Sequence, residues 1–189
     1  MDFPAVNQYS RSIGLKKTIN CDYLKLWKII SEKSNLELFH PFCKKNNVIK
    51  WSSNDSIDEI EYLNGSVFRR KFYNWIEKEG YDLYIGAHGK PKSHVSWRIK
   101  KDDLKTHIKI TIHPYLFNLN NHHLNLVPYY LMVKPLMAKY LHSVLNGLKF
   151  YAEFDRLVSK NQFGRHIWFS STKSIKMILL NLNVTKKYT

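Results

Sequence analysis

In this sequence of 189 residues, His40 and Cys43 have side chains that are well suited to chemistry. They are three positions apart beside Pro41. A neighbouring imidazole can lower the pKa of a thiol and make it a nucleophile. A metal site would need further ligands, and His166 is the only one that we consider. The alternative interpretation is structural, with Cys43 packed at a helix end and His40 bonded to backbone. We favour the structural interpretation and predict no metal site.

A second group of chemical residues lies on two aromatic-rich strands around Asn64-Gly65. Asn-Gly favours the positive backbone angles of a two-residue hairpin turn. Such a turn brings two opposite-charge pairs and two apolar pairs into register. The predicted pairs are Ile57 with Phe72, Asp58 with Lys71, Glu59 with Arg70, and Tyr62 with Val67.

The Glu59–Arg70 pair has two interpretations. If the face that also carries Phe68 and Phe72 lines a cavity, the pair is buried and can orient a ligand head group. If that face points outward, the pair is a surface ion pair that contributes about 0–1 kcal/mol. The opposite face is equally apolar, so the pattern leaves both interpretations open.

The remaining elements must position these groups. Apolar alternation predicts a strand near residues 9–19, and helical spacing then predicts two short helices, the second stopped by Pro41. Further alternation of apolar and polar residues predicts an antiparallel meander up to Pro114, with one buried face and one solvent-exposed face. His122 and His123 fall in an Asn-rich connection and are expected to be solvated.

A long amphipathic helix closes the predicted domain. Its apolar stripe runs from Leu136 to Phe154. Pro135 either opens this helix or kinks one that begins near Pro128. Gly147 either weakens the helix slightly or lets another part of the chain approach closely.

The order of these elements resembles the helix-grip fold of the SRPBCC superfamily, which includes START lipid-transfer domains, the birch-pollen-allergen family and polyketide cyclase-like proteins. Three strings carry the resemblance: residues 40–43, residues 58–65 and residues 161–170. Relatives are expected to have proline where this sequence has Ile167. This difference affects the expected local turn and leaves the expected fold unchanged. The resemblance implies an α+β fold with a curved antiparallel sheet of about seven strands wrapped around a long C-terminal helix, and two short helices after strand 1.

The resemblance also implies a ligand tunnel between the sheet and the helix. Cavities of this kind are mostly apolar with a few polar groups. Candidate lining residues are Glu59, Phe68, Arg70, Phe72, Trp97, Tyr140 and Tyr151. His40, Cys43, His166 and Trp168 form a possible functional or structural motif, and Trp168 is expected to pack the end of the domain against the sheet or the short helices.

Three functions follow from this interpretation. The first is binding or carriage of a hydrophobic or amphipathic small molecule, for example a lipid, without catalysis or cofactor. The second is a cyclase- or dehydratase-like enzyme with Glu59, His40 and His166 as acid–base groups, which would have to lie within about 3 Å of a substrate proton, directly or through water. The third is binding of anionic membrane or nucleic acid by the basic surface or tail. We favour the first.

The net charge of +15 is spread along the chain and forms no dedicated block. Spread positive charge attracts anionic lipid or nucleic acid only weakly, and no nucleic-acid motif supports it, so nucleic acid is not an expected partner. Two cysteines exclude a disulfide-built scaffold and a four-cysteine zinc site.

The N-terminus lacks the pattern of a secretory signal, and no apolar run is long enough to span a bilayer, so we expect a cytoplasmic protein. Residues 1–8 are expected to form an arm, residues 9–170 a single domain, and residues 171–189 a basic tail. The apolar patch at residues 175–182 in that tail gives it a possible role in membrane contact.

Overall fold

The computed structural model describes residues 6–102, 105–119 and 123–171. His122, most of the predicted arm and residues 172–189 of the predicted tail lie outside these ranges. Within them, no helix is both long and apolar enough to cross a bilayer.

One antiparallel sheet of seven strands forms the body of the protein, in the order β1-β7-β6-β5-β4-β3-β2. Strands β2 to β7 follow one another as neighbours, and β1 pairs with the last of them, so the expected meander of about seven strands is confirmed. The strands are β1 (Ile13–Ile19), β2 (Cys43–Lys50), β3 (Ile57–Tyr62), β4 (Val67–Ile76), β5 (Gly80–Gly86), β6 (Ser93–Asp102) and β7 (Lys105–His113).

Two short helices, α1 (Tyr23–Ser31) and α2 (Leu36–Phe39), connect β1 to β2, as expected. The side chain of Asp22 accepts hydrogen bonds from the backbone N–H groups of Leu24 and Lys25, at 2.8 and 3.1 Å. These bonds satisfy donors that the first turn of a helix leaves free, and they fix the start of α1.

The C-terminal helical segment is continuous from His123 to Phe154. A 3₁₀ turn and the short helix α3 (Leu126–Pro128) lead into a π turn (Tyr129–Val133) and then into α4 (Lys134–Phe154). Of the two alternatives for Pro135, the helix that begins upstream is the correct one. Proline has no N–H and cannot donate a hydrogen bond to a carbonyl of the preceding turn. The wider π turn lies at this gap in the hydrogen bonds of the helix.

Helix α4 packs close to α2 at Gly147. A side-chain carbon at this position would lie 2.1 Å from the carbonyl oxygen of Phe39 and 3.3 Å from the ring of Pro41. The close approach that the sequence allowed is therefore present, and it brings the end of α2 onto the long helix.

The β3–β4 hairpin differs from the prediction by one residue. Its loop has three residues, Leu63 to Gly65, because the N–H of Tyr62 donates to the carbonyl of Ser66 at 2.8 Å and Gly65 takes the positive φ of 88°. Three-residue loops of this kind place glycine in the left-handed conformation. The predicted pairs are therefore wrong, and the observed ones include Asp58 with Arg70, Glu59 with Arg69 and Ile60 with Phe68.

Tertiary contacts explain why the local turn preference failed. The N–H of Leu63 donates to the carbonyl of Phe42 at 3.0 Å. The side chain of Asn64 donates to the carbonyl of Trp168 at 2.7 Å. A shift of one residue turns every side chain of a strand to the other face, so the correct register decides which charges are buried.

Candidate functional site

A cavity of about 370 Å³ lies between the inner face of the sheet and α4. Strands β3 to β7 and the long helix α4 all contribute lining residues, since the sheet curves around the helix. The lining is mostly aliphatic and aromatic: Leu36, His40, Ile60, Tyr62, Phe68, Arg70, Leu83, Ile85, Ser93, Val95, Trp97, Ile110, Ile112, Pro114, Tyr115, Leu116, Val133, Met137, Tyr140, Leu141, Val144, Trp168 and Phe169.

The cavity reaches the surface at one end of the sheet. The β3–β4 and β5–β6 connections and the end of β7 lie together there. Apart from Tyr140, all half-exposed lining residues come from this end or from the chain that follows α4. They are Phe68, Ile85, Ser93, Tyr115, Leu116 and Trp168.

Four polar residues of the lining form a cluster that we call the polar cluster: His40, Tyr62, Arg70 and Tyr140. They come from the end of α2, from β3, from β4 and from α4. The Nε2 atom of His40 lies 2.9 Å from the hydroxyl of Tyr140, and that hydroxyl lies 3.3 Å from the hydroxyl of Tyr62. The side chains of His40, Tyr62 and Arg70 are almost entirely buried.

The backbone fixes the tautomer of His40. The N–H of Phe42 donates to Nδ1 of His40 at 3.2 Å, so Nδ1 carries no proton. The ring proton is then on Nε2, which donates to the oxygen of Tyr140. Burial lowers the pKa of His40 to about 3, and the nearby positive charge of Arg70 adds to the effect. His40 is therefore a neutral hydrogen-bond donor at physiological pH.

The two tyrosines of the polar cluster are also uncharged. Burial raises the pKa of Tyr140 to about 12 and raises that of Tyr62 well above its ordinary value. Each hydroxyl therefore keeps its proton and can donate it. The cluster thus consists of neutral donors around one paired guanidinium.

Arg70 is neutralised by Asp58. The Nε atom of Arg70 donates to Asp58 at 2.7 Å, and a second guanidinium nitrogen donates to the other carboxylate oxygen. The amide of Asn46 also donates to Asp58, at 3.0 Å. The predicted Glu59–Arg70 pair does not exist: Glu59 pairs with Arg69 on the outer face, where both side chains are partly exposed.

The three strings on which the resemblance depends meet beside the polar cluster. Phe169 stacks on Tyr62 with ring centres 4.3 Å apart, and lies 4.8 Å from Tyr140. The N–H of Asn161 donates to the carbonyl of Pro41 at 2.9 Å. Residues 161–170, which we call the C-terminal segment, thus build one wall of the cavity against residues 40–43 and the hairpin.

His166 holds the C-terminal segment to the long helix. Its Nε2 atom lies 2.9 Å from the carbonyl oxygen of Leu136, and its Nδ1 accepts from the N–H of Trp168 at 3.3 Å. Both ring nitrogens are therefore used for structure. His166 stacks on Phe169 and is not among the described residues that line the cavity.

Cys43 is buried, and burial raises the pKa of its thiol to about 12. A thiol with this pKa stays protonated at neutral pH, and both ring nitrogens of His40 are occupied by other partners. Within the described ranges, no group of three or more histidine, cysteine, aspartate or glutamate residues is placed to hold a metal ion.

The structure brings some of the seven candidate lining residues to the cavity and not others. Phe68, Arg70, Trp97 and Tyr140 line it, as do His40 and Trp168 of the possible motif. Glu59, Phe72 and Tyr151 are not among the described lining residues, since Glu59 faces outward and Phe72 packs against Trp51 and Tyr81.

Sequence reasoning missed Tyr62, Phe169 and, on α4, Met137, Leu141 and Val144 as lining residues. The assumed two-residue turn placed Tyr62 on the face opposite Arg70. The correct register places Asp58, Ile60 and Tyr62 on the same face as Phe68 and Arg70. The burial of the Asp58–Arg70 pair distinguishes the two registers in the structure, and no local sequence pattern indicated it.

No protein-family model matches this sequence, and no curated protein matches it significantly. Solved structures do share its fold. A START superfamily protein from Mycobacterium smegmatis matches with a TM-score of 0.59 at 12% identity, over 75% of this chain and 96% of that one. The Aha1 dimer from Colwellia psychrerythraea matches with a TM-score of 0.53 at 14% identity, over 76% of this chain and 97% of that one.

DynU16, described as a protein in the dynemicin biosynthetic locus, matches with a TM-score of 0.58 at 10% identity, over 77% of this chain. This chain spans about half of DynU16, 48% of its length. At these identities the likeness shows the fold. The START-like helix-grip architecture that the sequence resemblance implied is confirmed.

Proposed function

We propose that the protein binds a hydrophobic or amphipathic small molecule in the cavity between the sheet and α4. The observation that carries this proposal is the cavity itself. Its volume of about 370 Å³ falls in the range of small-molecule sites, and its walls are mostly apolar with a few convergent polar groups. A small natural-product skeleton or a lipid chain is the class of ligand that fits such walls.

The shape of the lining supports a ligand with an apolar body. Trp97, Phe68 and Phe169 supply flat aromatic walls, and aliphatic side chains of β5 to β7 and of α4 supply the rest of the lining. Burying an apolar ligand against such walls gains about 25 cal/mol for each Å² removed from water. The polar cluster offers hydrogen bonds that give the ligand one orientation.

The alternative of a cyclase-like enzyme receives less support from the named residues. Glu59 and His166 lie away from the described cavity lining, and His40 is neutral with both nitrogens occupied. A general acid or base needs a pKa near the working pH, and the pKa of His40 is lowered to about 3. Binding therefore requires fewer additional assumptions than catalysis.

Native mass spectrometry of the purified protein, together with titration by the apolar dye Nile red, tests the proposal. We expect a retained small molecule or a saturable rise in dye fluorescence at one site per chain. The variant Val95→Phe places a ring in the cavity and is expected to abolish binding while keeping or raising the melting temperature.

Val67→Phe is the matched control, because Val67 lies on the outer face and is 46% exposed. This variant is expected to bind the dye like the wild type. A wild-type protein that retains no molecule and gives no saturable dye signal would contradict the proposal. Equal loss in the two variants would show that the dye reports something other than the cavity.

A further inference from the structure

We infer that the polar cluster is a binding site for an uncharged oxygen acceptor, such as a carbonyl, carried by an otherwise apolar ligand. This inference rests on the proposed function and specifies the ligand for the same cavity. It follows from counting protons and charges among His40, Tyr62, Tyr140 and Arg70.

The proton count begins at the backbone. Because the N–H of Phe42 occupies Nδ1 of His40, the imidazole has one proton, on Nε2. The two tyrosine hydroxyls bring one proton each. Three donor protons are thus present along His40, Tyr140 and Tyr62.

Only two contacts connect these three groups: His40 to Tyr140 at 2.9 Å, and Tyr140 to Tyr62 at 3.3 Å. Each contact uses one proton. Whichever tyrosine donates in the second contact, one hydroxyl proton has no partner among the described residues. A buried donor without a partner costs about 1–3 kcal/mol, so a ligand that accepts this proton removes a penalty.

The free hydroxyl belongs to residues that line the cavity, since both Tyr62 and Tyr140 contribute to its wall. Arg70 lines the same region, and its bonds to Asp58 use Nε and one terminal nitrogen. The other terminal nitrogen has no hydrogen-bond partner in the described part of the chain. Among the described residues, the polar cluster therefore offers donors to the cavity and no free acceptor of comparable strength.

The charge count decides between a neutral acceptor and an anion. Arg70 is only 3% exposed and Asp58 is fully buried, so their charges cancel inside the protein. His40 is neutral. A carboxylate placed here would be an additional buried charge without a counter-ion of its own, which is costly in a medium of low dielectric. A carbonyl accepts the same proton without this cost.

Three rigid probes with one tricyclic skeleton test the inference: fluorene, fluorenone and fluorene-9-carboxylate. They differ only in what the central carbon carries, and all are smaller than a cavity of about 370 Å³. Affinities are measured by displacement of Nile red from the wild-type protein. We expect fluorenone to bind about three- to tenfold more tightly than fluorene, the range that one added hydrogen bond provides, and the carboxylate to bind more weakly than fluorenone.

Removing the two hydroxyls alone would free the Nε2 proton of His40, which donates to Tyr140. The test variant is therefore the triple variant His40→Leu/Tyr62→Phe/Tyr140→Phe, which removes all three donors and is expected to lose most of the preference for fluorenone. Tyr115→Phe, a half-exposed lining tyrosine at the mouth, is the matched control and is expected to keep the preference. If the triple variant does not fold, the comparison of the three probes on the wild-type protein still tests the inference.

The outcomes separate the two proposals. Absence of Nile red binding in a protein that also retains no small molecule contradicts the proposed function. Dye binding with equal displacement by fluorene and fluorenone, or with no displacement by either, overturns the inference and leaves the proposed function in place. Tighter binding of the carboxylate than of fluorenone also overturns it, because the polar end would then be an anion site.

Discussion

The carboxylate of Asp58 accepts two hydrogen bonds from the guanidinium of Arg70 on the inner face of the sheet, directly across the β3–β4 ladder. The next pair along the hairpin, Glu59 with Arg69, has the same chemistry on the outer face. The two pairs differ in burial: the side chains of Arg70 and Asp58 are 4% and 0% exposed, and those of Arg69 and Glu59 are 46% and 28% exposed.

Asp58→Asn is expected to lower the free energy of unfolding by about 3–5 kcal/mol, because it leaves the buried guanidinium without a counter-ion. Glu59→Gln is the matched control and is expected to cost about 0–1 kcal/mol. Urea denaturation of both variants measures the difference. Similar values for the two variants would mean that the hairpin register or its orientation is not as described.

Gly147→Ala is expected to destabilise the protein by about 1–3 kcal/mol, since the added carbon meets the carbonyl oxygen of Phe39. In an exposed helix the same change would stabilise by about 1 kcal/mol, so the sign of the effect is diagnostic. His142→Ala, at an exposed position of the same helix, is the control and is expected to stay within about 0.5 kcal/mol. Thermal or urea denaturation gives both values, and a stabilising Gly147→Ala would contradict the close packing.

Acid is expected to destabilise the protein from about pH 6.5 downward. Burial lowers the pKa of His40 to about 3 and that of His94 to about 4, from an ordinary value of 6.5. Between these values the unfolded chain binds protons that the folded chain does not, so stability falls as pH falls. Each histidine contributes about 1.4 kcal/mol per pH unit in this window.

The slope of stability against pH, measured by urea denaturation between pH 7 and pH 4.5, checks this expectation. His40→Gln is expected to reduce the slope by the share of one histidine, whatever its effect on stability at pH 7. The control Ile167→Ala changes an exposed side chain without a titratable group and is expected to leave the slope unchanged. An unaltered slope in His40→Gln would show that His40 is protonated normally in the folded protein.

Phe169→Ala is expected to cost about 3–5 kcal/mol and to accelerate release of a bound dye, because Phe169 is buried against Tyr62 and Tyr140 at the cavity wall. Ile167→Ala, two residues earlier, is the control: Ile167 is 73% exposed and is expected to change neither property. Stopped-flow displacement of Nile red measures the release rate. An unchanged release rate in Phe169→Ala would show that the C-terminal segment does not form part of the cavity wall.

Periodicity was sufficient to predict most of the fold. Alternating strands, the two short helices after the first strand and the long apolar stripe of α4 are local patterns, and the structure contains each of them. The close approach at Gly147 could also be predicted, because a glycine inside a long helix often allows another part of the chain to approach closely.

The site was harder to predict because its geometry depends on non-local contacts. The turn dipeptide Asn64-Gly65 favours a two-residue loop, yet bonds from Leu63 to Phe42 and from Asn64 to Trp168 hold a three-residue loop. That single residue moved Tyr62 to the inner face and replaced Glu59 by Asp58 as the partner of Arg70. Local rules contain no information about partners that are some hundred positions away.

The C-terminal segment contributes a cavity wall without belonging to the sheet or to the long helix. It is held by hydrogen bonds, among them those of His166 to Leu136 and of Asn161 to Pro41, and by the packing of Phe169 on Tyr62. Breaking these contacts costs less than unfolding the sheet, and local openings of this kind occur far more often than global unfolding. Opening of the segment would widen the path out of the cavity, so that a ligand of the proposed kind can exchange while the sheet stays folded.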